Sequence, residues 1–329
     1  MSENPAASLG AAGAGEAVDL SVRIGGVVFQ NPVMVASGTF GYGEEFADIF
    51  DLNLLGAVMV KGVSLEPWPG NPLPRIVETP AGMLNAIGLQ NPGVEAFIKK
   101  YLPALRGLKA RLIVNVIGKT VDEYAAVVRR LEEAGAADAY ELNISCPNIK
   151  EGGIAFGVDP KMAAAVVGAV RKVTQRPVIP KLSPNVTDIK AMARACEDAG
   201  ADALSAVNTF LGMAIDVKAE RPVLANVFGG LSGPAIRPLA VRMVWEVYQA
   251  VRIPVIGMGG IARVEDALEF VLAGASAFAV GTANFTTPDL SARIVRSLPG
   301  ILKEKGATRF ADLVGRAHVA PAHTKEDPR

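Results

Sequence analysis

The sequence predicts a single (β/α)8 barrel, and the order of its apolar segments is the main reason. Eight short apolar runs alternate with longer amphipathic patterns along the chain. The runs are apolar throughout, which is typical of parallel strands that are buried on both faces. An Ala-Gly-Ala step at residues 134–136, 199–201 and 273–275 closes a helix and leads into the next strand. Eight such units indicate a closed barrel with its chemistry at the C-terminal ends of the strands.

The expected elements can be placed along the chain. The clearest helix begins at Thr120, where Glu123 three residues later completes a capping-box pattern. It should end near Gly135, with Val127 and Leu131 facing inward. The predicted strands span residues 32–36, 57–60, 112–116, 139–144, 178–182, 203–207, 254–258 and 275–280.

The composition favours one well-packed domain without a basic surface. The 329 residues are 50% hydrophobic and have a mean hydropathy of +0.30, so they can bury a large core. Lys and Arg together number 33, as do Asp and Glu, and this zero net charge disfavours general nucleic-acid binding. No apolar run approaches the ~18 residues that span a bilayer. We expect a flexible leader at residues 1–18, the barrel at 19–316 and a flexible tail at 317–329.

Cysteine and histidine positions narrow the chemistry. Cys146 and Cys196 are the only cysteines, and they show no disulfide framework or metal-type spacing, which fits a reducing cytoplasm. Two cysteines are also too few for an iron–sulfur cluster on this chain. The leader has no Lys or Arg and so lacks the basic start of a signal peptide. Both histidines, His318 and His323, lie in the expected tail, which argues against a histidine base in the barrel.

Cys146 is therefore the first candidate for a catalytic side chain. It lies in Asn-Ile-Ser-Cys-Pro-Asn (143–148), directly after a predicted strand. A thiol among polar neighbours at a strand end is placed for proton transfer or nucleophilic attack. The alternative is a buried structural cysteine, a description that suits Cys196, within a helical pattern, better.

Every predicted strand ends in a polar residue or in glycine. In chain order these ends are Ser37, Lys61, Asn115, Asn143, Lys181, Asn208, Gly259-Gly260 and Gly281-Thr282. Carboxamides offer both donors and an acceptor, so the asparagines suit a planar ligand with alternating N–H and C=O groups, such as a pyrimidine. A lysine at such a strand end could form a Schiff base or act as a fixed cation opposite a developing anion.

Glycines after the last two strands predict a phosphate site. Segments 257–260 (Gly-Met-Gly-Gly) and 280–282 (Val-Gly-Thr) let backbone N–H groups approach an anion where barrels of this class often bind phosphate. A phosphorylated cofactor such as FMN fits there, and tight turns without a ligand are the alternative. Residues 38–43 have the wrong glycine spacing for a dinucleotide-binding turn, and no P-loop is present. Two long connections, residues 62–92 and 209–234, could cover the barrel mouth.

Together these segments resemble class 1 dihydroorotate dehydrogenases, and more closely the 1B type. The resemblance covers roughly residues 20–313 and includes Lys-Glu-Gly-Gly-Ile-Ala-Phe-Gly (150–157), which looks like 1B. Asn-x-Ser-Cys-Pro-Asn alone also resembles the pyrimidine-reducing domain of dihydropyrimidine dehydrogenases. The segments that carry the resemblance are Ala-Ser-Gly-Thr-Phe-Gly-Tyr-Gly (36–43), Asn-Ala-Ile-Gly-Leu (85–89), Asn-Ile-Ser-Cys-Pro-Asn (143–148), Lys-Leu-Ser-Pro-Asn (181–185), Asn-Thr (208–209) and Gly-Gly (259–260).

The resemblance implies FMN in the barrel mouth with dihydroorotate beside it. Cys146 matches the family's base, which would take the C5 proton while flavin N5 takes the C6 hydride. Lys181 would offset negative charge on the reduced flavin, and Lys61 would help to place cofactor and substrate. FMN would be held by Ser37, Lys61, Asn115, Asn143, Lys181, Val207, Gly233, Gly259, Gly260, Gly281 and Thr282. The substrate would meet Lys61, Asn85, Ala86, Ile87, Gly88, Leu89, Asn143, Asn208 and Thr209.

The 1B resemblance also implies a partner and a place in pyrimidine biosynthesis. Such chains resemble the catalytic half of a heterotetramer built on a homodimer. Its second subunit carries FAD and a 2Fe-2S cluster and passes electrons to NAD. The residues themselves fit the fumarate-using 1A homodimer equally well. Three other functions stay open: a flavin enzyme acting on uracil or thymine, an aldolase-type lyase with Lys181 as nucleophile, and a non-catalytic phosphate-binding scaffold.

Overall fold

The computed structural model describes residues 18–144 and 156–318. Its strands are β1 Val22–Ile24, β2 Val27–Phe29, β3 Val33–Val35, β4 Ala57–Val63, β5 Ile76–Thr79, β6 Gly82–Asn85, β7 Arg111–Val116, β8 Ala139–Leu142, β9 Val178–Pro180, β10 Leu204–Ala206, β11 Phe210–Met213, β12 Ile215–Asp216, β13 Arg221–Pro222, β14 Phe228–Ser232, β15 Val255–Met258 and β16 Ala277–Val280. Its helices are α1 Ser37–Phe40, α2 Glu44–Ala47, α3 Val94–Ala96, α4 Leu102–Leu105, α5 Val121–Glu133, α6 Pro160–Arg171, α7 Ile189–Asp198, α8 Arg237–Ala250, α9 Val264–Leu272, α10 Ala283–Thr286 and α11 Leu290–Glu304.

Eight parallel strands form the barrel, and each lies where the sequence predicts one. They follow the order β10-β15-β16-β3-β4-β7-β8-β9 around the sheet. The two edge strands meet where Lys181 pairs with Ser205, and the Leu182 amide donates to the Ser205 carbonyl at 2.9 Å. This contact closes the sheet, so the predicted (β/α)8 barrel is confirmed.

The outer helices follow from their capping and apolar faces. The Thr120 hydroxyl accepts a hydrogen bond from the Glu123 amide at 3.2 Å, as the capping pattern predicts. The Glu123 carboxylate instead accepts from the Lys119 amide, so only half of the box forms as expected. Val127 and Leu131 are fully buried on the inner face of α5. The longest helix within the described ranges, α11, has 15 residues, and none there is long and apolar enough to cross a membrane.

The N-terminal end of the barrel is covered by the β1–β2 hairpin. Ile24 of β1 and Phe29 of β2 are fully buried. The hairpin turns at Gly25, where an added Cβ would lie 2.9 Å from the Cβ of Asp202. Only glycine fits this close approach without displacing a neighbour. The hairpin therefore seals the end opposite the predicted chemistry.

The two long connections form one antiparallel sheet with strand order β11-β14-β6-β5. Asn85 from the first connection pairs with Gly230 from the second, across 145 positions in the sequence. A small separate core of Leu84, Ala86 and Leu224 holds this sheet together. We call it the covering sheet, because its residues line the cavity at the barrel mouth.

Both ends of the described chain pack against the barrel. The Asp19 amide donates to the Thr308 carbonyl at 2.8 Å, which joins the start of the chain to the segment after α11. The His318 ring stacks on Trp245 with 3.4 Å between ring centroids. Its Nε2 lies 3.0 Å from the Ala273 carbonyl. Packing thus continues one residue beyond the expected start of the tail at 317.

Candidate active site

A cavity of about 300 Å³ lies between the C-terminal strand ends and the covering sheet. With one exception, the predicted site residues in the described ranges line this cavity, namely Ser37, Lys61, Asn85, Ile87, Gly88, Leu89, Asn115, Asn143, Lys181, Val207, Asn208, Thr209, Gly233, Gly259, Gly260, Gly281 and Thr282. The exception is Ala86, which is fully buried in the small core of the covering sheet. The polar residues and glycines that follow the barrel strands thus meet in one cavity.

Cys146, the predicted base, lies outside the described residues. Both described flanks of its segment are held against α5. On one side, the Tyr124 hydroxyl donates to the Asn143 carbonyl at 2.8 Å. On the other side, Phe156 packs edge-on against the Tyr124 ring at 5.8 Å. The chain therefore leaves and rejoins the described structure beside the same tyrosine.

Lys61 enters the cavity from an irregularity in β4. The pairing of β4 with β7 shifts register between Val60 and Val63, as in a β-bulge, which re-aims the side chains of a strand. Burial lowers the pKa of the Lys61 ammonium, the Arg75 guanidinium lowers it further, and Glu45 offsets part of this effect. Lys61 is thus a cation in an environment that favours binding of an anion.

Lys181 is the second cation of the mouth. It follows β9 directly and is only 6% exposed. Its backbone amide donates to the Leu142 carbonyl at 2.9 Å, which fixes the side chain at the closing edge of the barrel. Within the described ranges, neither Lys181 nor Lys61 forms a salt bridge. A charge that is buried, as in Lys181, or half-buried, as in Lys61, is costly without an ionic partner. Both lysines therefore favour an anionic or electron-rich ligand.

The predicted phosphate site is a cradle of glycine backbone. Gly233, Gly259 and Gly260 all adopt positive φ values, of 95°, 127° and 86°. A Cβ on Gly260 would lie 2.9 Å from the Gly233 carbonyl oxygen and from the Arg237 amide. Because no side chain fits there, the backbone itself faces the cavity, which suits a bound phosphate.

A buried carboxylate anchors this cradle from behind. Asp266 is 1% exposed and accepts from the backbone amides of Ala262 at 2.9 Å and Arg263 at 3.1 Å. Its other oxygen pairs with the Arg237 guanidinium. The glycine loop is therefore tied to the starts of α8 and α9, which keeps the cradle preformed.

Glu141 is a site residue that the sequence patterns did not predict. It lies inside the barrel on β8, fully buried, directly opposite Asn115 of β7 in the sheet register. Its carboxylate accepts from Asn115 Nδ2 at 2.6 Å, Ser205 Oγ at 2.8 Å and Ser37 Oγ at 3.4 Å. The Asn115 Oδ1 atom is buried without a hydrogen-bond partner in the protein.

Arg75 and Gly62 also line the cavity and were not predicted. Arg75 comes from the first long connection, and its Nη2 donates to Gln90 Oε1 at 2.5 Å. Nothing in the local pattern around Arg75 points to a site, since long-range folding brings it to the mouth. A Cβ on Gly62 would lie 3.1 Å from the unpartnered Asn115 Oδ1, so any larger residue there would crowd that atom.

Cys196 is confirmed as a helix-core residue. It is fully buried on α7, and burial raises its pKa to about 12. A thiol with this environment stays protonated and unreactive at neutral pH. The other cysteine of the sequence is Cys146, the candidate base.

The closed parallel barrel, with cations, carboxamides and a glycine cradle at the C-terminal mouth, defines a (β/α)8-barrel enzyme. Residues 19–302 match the family model for dihydroorotate dehydrogenase, and the chain belongs to this family. The family consists of flavin-dependent oxidoreductases with a barrel fold, in agreement with the structure.

Curated relatives cover nearly the whole chain. A protein of Pelobacter propionicus is 59% identical over 297 residues, which are 90% of this chain and 98% of the relative. Proteins of Geobacter metallireducens and Geobacter sulfurreducens are 58% and 57% identical over 301 residues, 92% of this chain and 99% of each relative. All three are named dihydroorotate dehydrogenase B (NAD(+)), catalytic subunit. The resemblance to the 1B type is thereby confirmed.

Proposed function

We propose that this chain oxidises dihydroorotate to orotate with FMN bound in the barrel mouth, and that a partner subunit passes the electrons to NAD. The observation that carries the proposal is the single cavity in which the glycine cradle, both lysines and the predicted carboxamides meet. The names of the relatives point to the same substrate and acceptor. The reaction belongs to pyrimidine biosynthesis, and we place it in the cytoplasm.

The residues of the cavity fit FMN at both ends. The backbone of Gly233, Gly259 and Gly260 suits the phosphate, because these glycines line the cavity with main-chain atoms alone. Asn115 Oδ1, buried and without a partner, suits an N–H donor of a flat ring. Bound FMN would supply the two-electron acceptor that no amino-acid side chain provides.

The substrate end of the cavity combines positive charge with carboxamides. Lys61 and Arg75 would bind the carboxylate of dihydroorotate, since both line the cavity and a guanidinium group offers several N–H donors. Asn85, Asn143 and Asn208 would pair with the ring N–H and C=O groups, as carboxamides can do both. A pyrimidine without the carboxylate would leave the two cations unmatched.

In this proposal Cys146 acts as the base. Conversion of dihydroorotate to orotate removes a proton from C5 and a hydride from C6, which leaves the C5–C6 double bond. The Cys146 thiolate takes the proton, and a free thiol with a pKa of about 8.5 is partly ionised near neutral pH. Lys181 would stabilise the negative charge that accumulates when the cofactor is reduced.

The partner proposal rests on the relatives. Their names describe a catalytic subunit linked to NAD(+), which implies a second chain. We propose that the partner carries FAD and a 2Fe-2S cluster and that two copies of each chain form the heterotetramer. Direct use of fumarate by a homodimer is the alternative acceptor chemistry.

The test is an anaerobic titration of the purified chain with dihydroorotate while the flavin absorbance is recorded. Loss of the yellow absorbance on addition of dihydroorotate, but not of dihydrouracil, supports the proposed substrate. A yellow protein that responds only to dihydrouracil would assign it to pyrimidine reduction. A colourless protein that stays unreactive after FMN is added contradicts the proposal.

The acceptor is tested separately with the reduced chain. Mixing it with NAD, with NAD plus the purified partner, and with fumarate distinguishes the routes. Reoxidation by NAD only in the presence of the partner supports the two-subunit enzyme. Rapid reoxidation by fumarate alone would replace that part of the proposal.

A further inference from the structure

Glu141 is the least expected residue in the barrel interior. Barrel cores of this class are filled mainly by branched apolar side chains. A fully buried carboxylate is costly unless it is paired and hydrogen-bonded. In the described part of the chain Glu141 forms no salt bridge, and its carboxylate instead meets three neutral donors. These donors are two hydroxyls and one carboxamide.

The contacts of Glu141 fix how Asn115 faces the cavity. An ionised carboxylate only accepts hydrogen bonds, so it binds the NH2 end of the Asn115 side chain, at 2.6 Å. The carbonyl end is then the part left for a ligand. That Oδ1 atom is buried, has no partner in the protein and belongs to a residue of the cavity wall.

We infer that Glu141 is a positioning residue of the FMN site, which holds Asn115 with its oxygen presented to the cofactor. The inference rests on the proposed function, because it assigns the role to the FMN site. Ser205 supports the carboxylate from the opposite side at 2.8 Å, and Ser37 joins it at the mouth. A carboxylate at this position, in contact with Asn115 and Ser37 of the cavity wall, would also disfavour the more negatively charged reduced flavin.

Two consequences distinguish this role from a purely structural one. In Glu141→Gln the new side chain can both donate and accept, so Asn115 is free to turn its NH2 end toward the cavity. We expect the Kd for FMN to rise about tenfold or more, the usual effect of losing a hydrogen bond that depends on a charged group. The reduction potential of bound FMN should become more positive, because a nearby negative charge is gone.

The experiment compares wild type, Glu141→Gln and Asp138→Asn. The Kd is measured by quenching of flavin fluorescence on the deflavinated proteins, and the potential by equilibration with a redox dye. Asp138 immediately precedes β8 at the opposite end of the barrel, where it pairs with Arg111 at 3.1 Å. It is the matched carboxylate control, and its variant should keep the wild-type Kd and potential.

Ser205→Ala provides a second test if Glu141→Gln does not fold. Ser205 touches Glu141 but does not line the cavity, so any change in FMN affinity has to act through the carboxylate. We expect a smaller rise in Kd, about twofold to tenfold, for the loss of one neutral hydrogen bond. A wild-type Kd in this variant would contradict the inference.

The outcomes separate the inference from the proposed function. If the wild-type chain fails to bind FMN, the proposed function fails. If the wild type binds FMN and folded Glu141→Gln binds it with the same Kd and potential, Glu141 has only a structural role. A higher Kd together with a more positive potential, both absent from Asp138→Asn, supports the positioning role.

Discussion

The two ends of the barrel treat charge in opposite ways. At the N-terminal end, Asp202 pairs with Arg171 at 2.7 Å and also accepts from the Val178 amide at 2.8 Å. At the C-terminal end, Lys61 and Lys181 form no salt bridge among the described residues. The described N-terminal carboxylate is thus paired, whereas the two lysines that line the cavity are not, although Arg237 and Asp266 behind the cradle are paired.

The difference separates stability from function. A paired carboxylate that also accepts from a backbone amide stabilises the strand that carries this amide. Because its charge is already neutralised within the protein, this end of the barrel does not require a ligand. Cations that are buried or half-buried without an ionic partner cost folding free energy, and they are typical of sites where a ligand supplies the opposite charge. Changes at the mouth should therefore alter binding and rate, whereas changes at the N-terminal end should alter the free energy of unfolding.

The largest effect at the mouth is expected from Cys146→Ala. Loss of the proposed base should reduce the rate of flavin reduction by dihydroorotate about 10²–10⁴-fold, the usual contribution of general base catalysis. FMN should remain bound, because the cradle and Asn115 are untouched. Rapid-mixing absorbance measurements give the rate, and Cys146→Ser serves as the conservative comparison. A rate within twofold of wild type would remove Cys146 from the mechanism.

Lys61→Met should weaken binding of orotate. It removes the charge and keeps most of the side-chain volume, so the carboxylate of the ligand loses one charge-assisted hydrogen bond. We expect the Kd for orotate to rise about 10–100-fold. Spectral titration of the oxidised protein measures it. Dihydrouracil, which lacks the carboxylate, should bind the wild type and Lys61→Met with equal affinity. An equal loss of affinity for orotate and dihydrouracil would contradict this assignment.

Asp202→Ala tests the opposite end. It removes the partner of Arg171 and leaves the Val178 amide without an acceptor, so the free energy of unfolding should fall by about 1–3 kcal/mol. Urea denaturation monitored by circular dichroism measures the loss. The Kd values for FMN and orotate should stay at wild-type values. If Asp202→Ala kept its wild-type stability but bound orotate more weakly, the proposed division between a stabilising N-terminal end and a ligand-binding C-terminal end would be wrong.

The barrel strands could be predicted from the sequence, but the structure of the C-terminal mouth could be predicted only in part. Apolar runs reveal β7 and β8 because parallel strands are buried on both faces. The run predicted at 57–60 continues to Val63, because the register shift around Lys61 has no hydrophobic signature. The covering sheet depends on a pairing 145 residues apart, which local patterns do not encode.

Glu141 shows why a site residue can escape a pattern-based prediction. It lies within the run Ala-Tyr-Glu-Leu, which is apolar enough to predict a strand. Side chains two residues apart on a strand share a face, so Glu141 and Asn143 both point into the barrel. A carboxylate within an otherwise apolar strand, two residues before Asn143, is therefore the sequence feature that could have identified Glu141 as a site residue.

The smallest expected effect is a dependence of orotate affinity on pH, which tests the role of Lys61 at the mouth. Burial and Arg75 lower the pKa of Lys61 below its ordinary value. The cation that binds orotate is therefore fully present at low pH and is lost as the pH rises through this lowered pKa. For folding the sign is opposite, because burying the charged form costs free energy that is recovered above the same pKa. Orotate affinity should fall at a lower pH than an exposed lysine would produce.

The measurement is best made in Cys146→Ser, which removes a second ionisable side chain, since a free thiol has an ordinary pKa of about 8.5. Lys61→Arg is the matched control, since an arginine stays charged and should leave the affinity flat over this interval. An identical fall of affinity in both proteins would assign the titration to the ligand instead of Lys61. A fall in the lysine protein alone would show that the unmatched cation at the mouth is the group that binds the carboxylate.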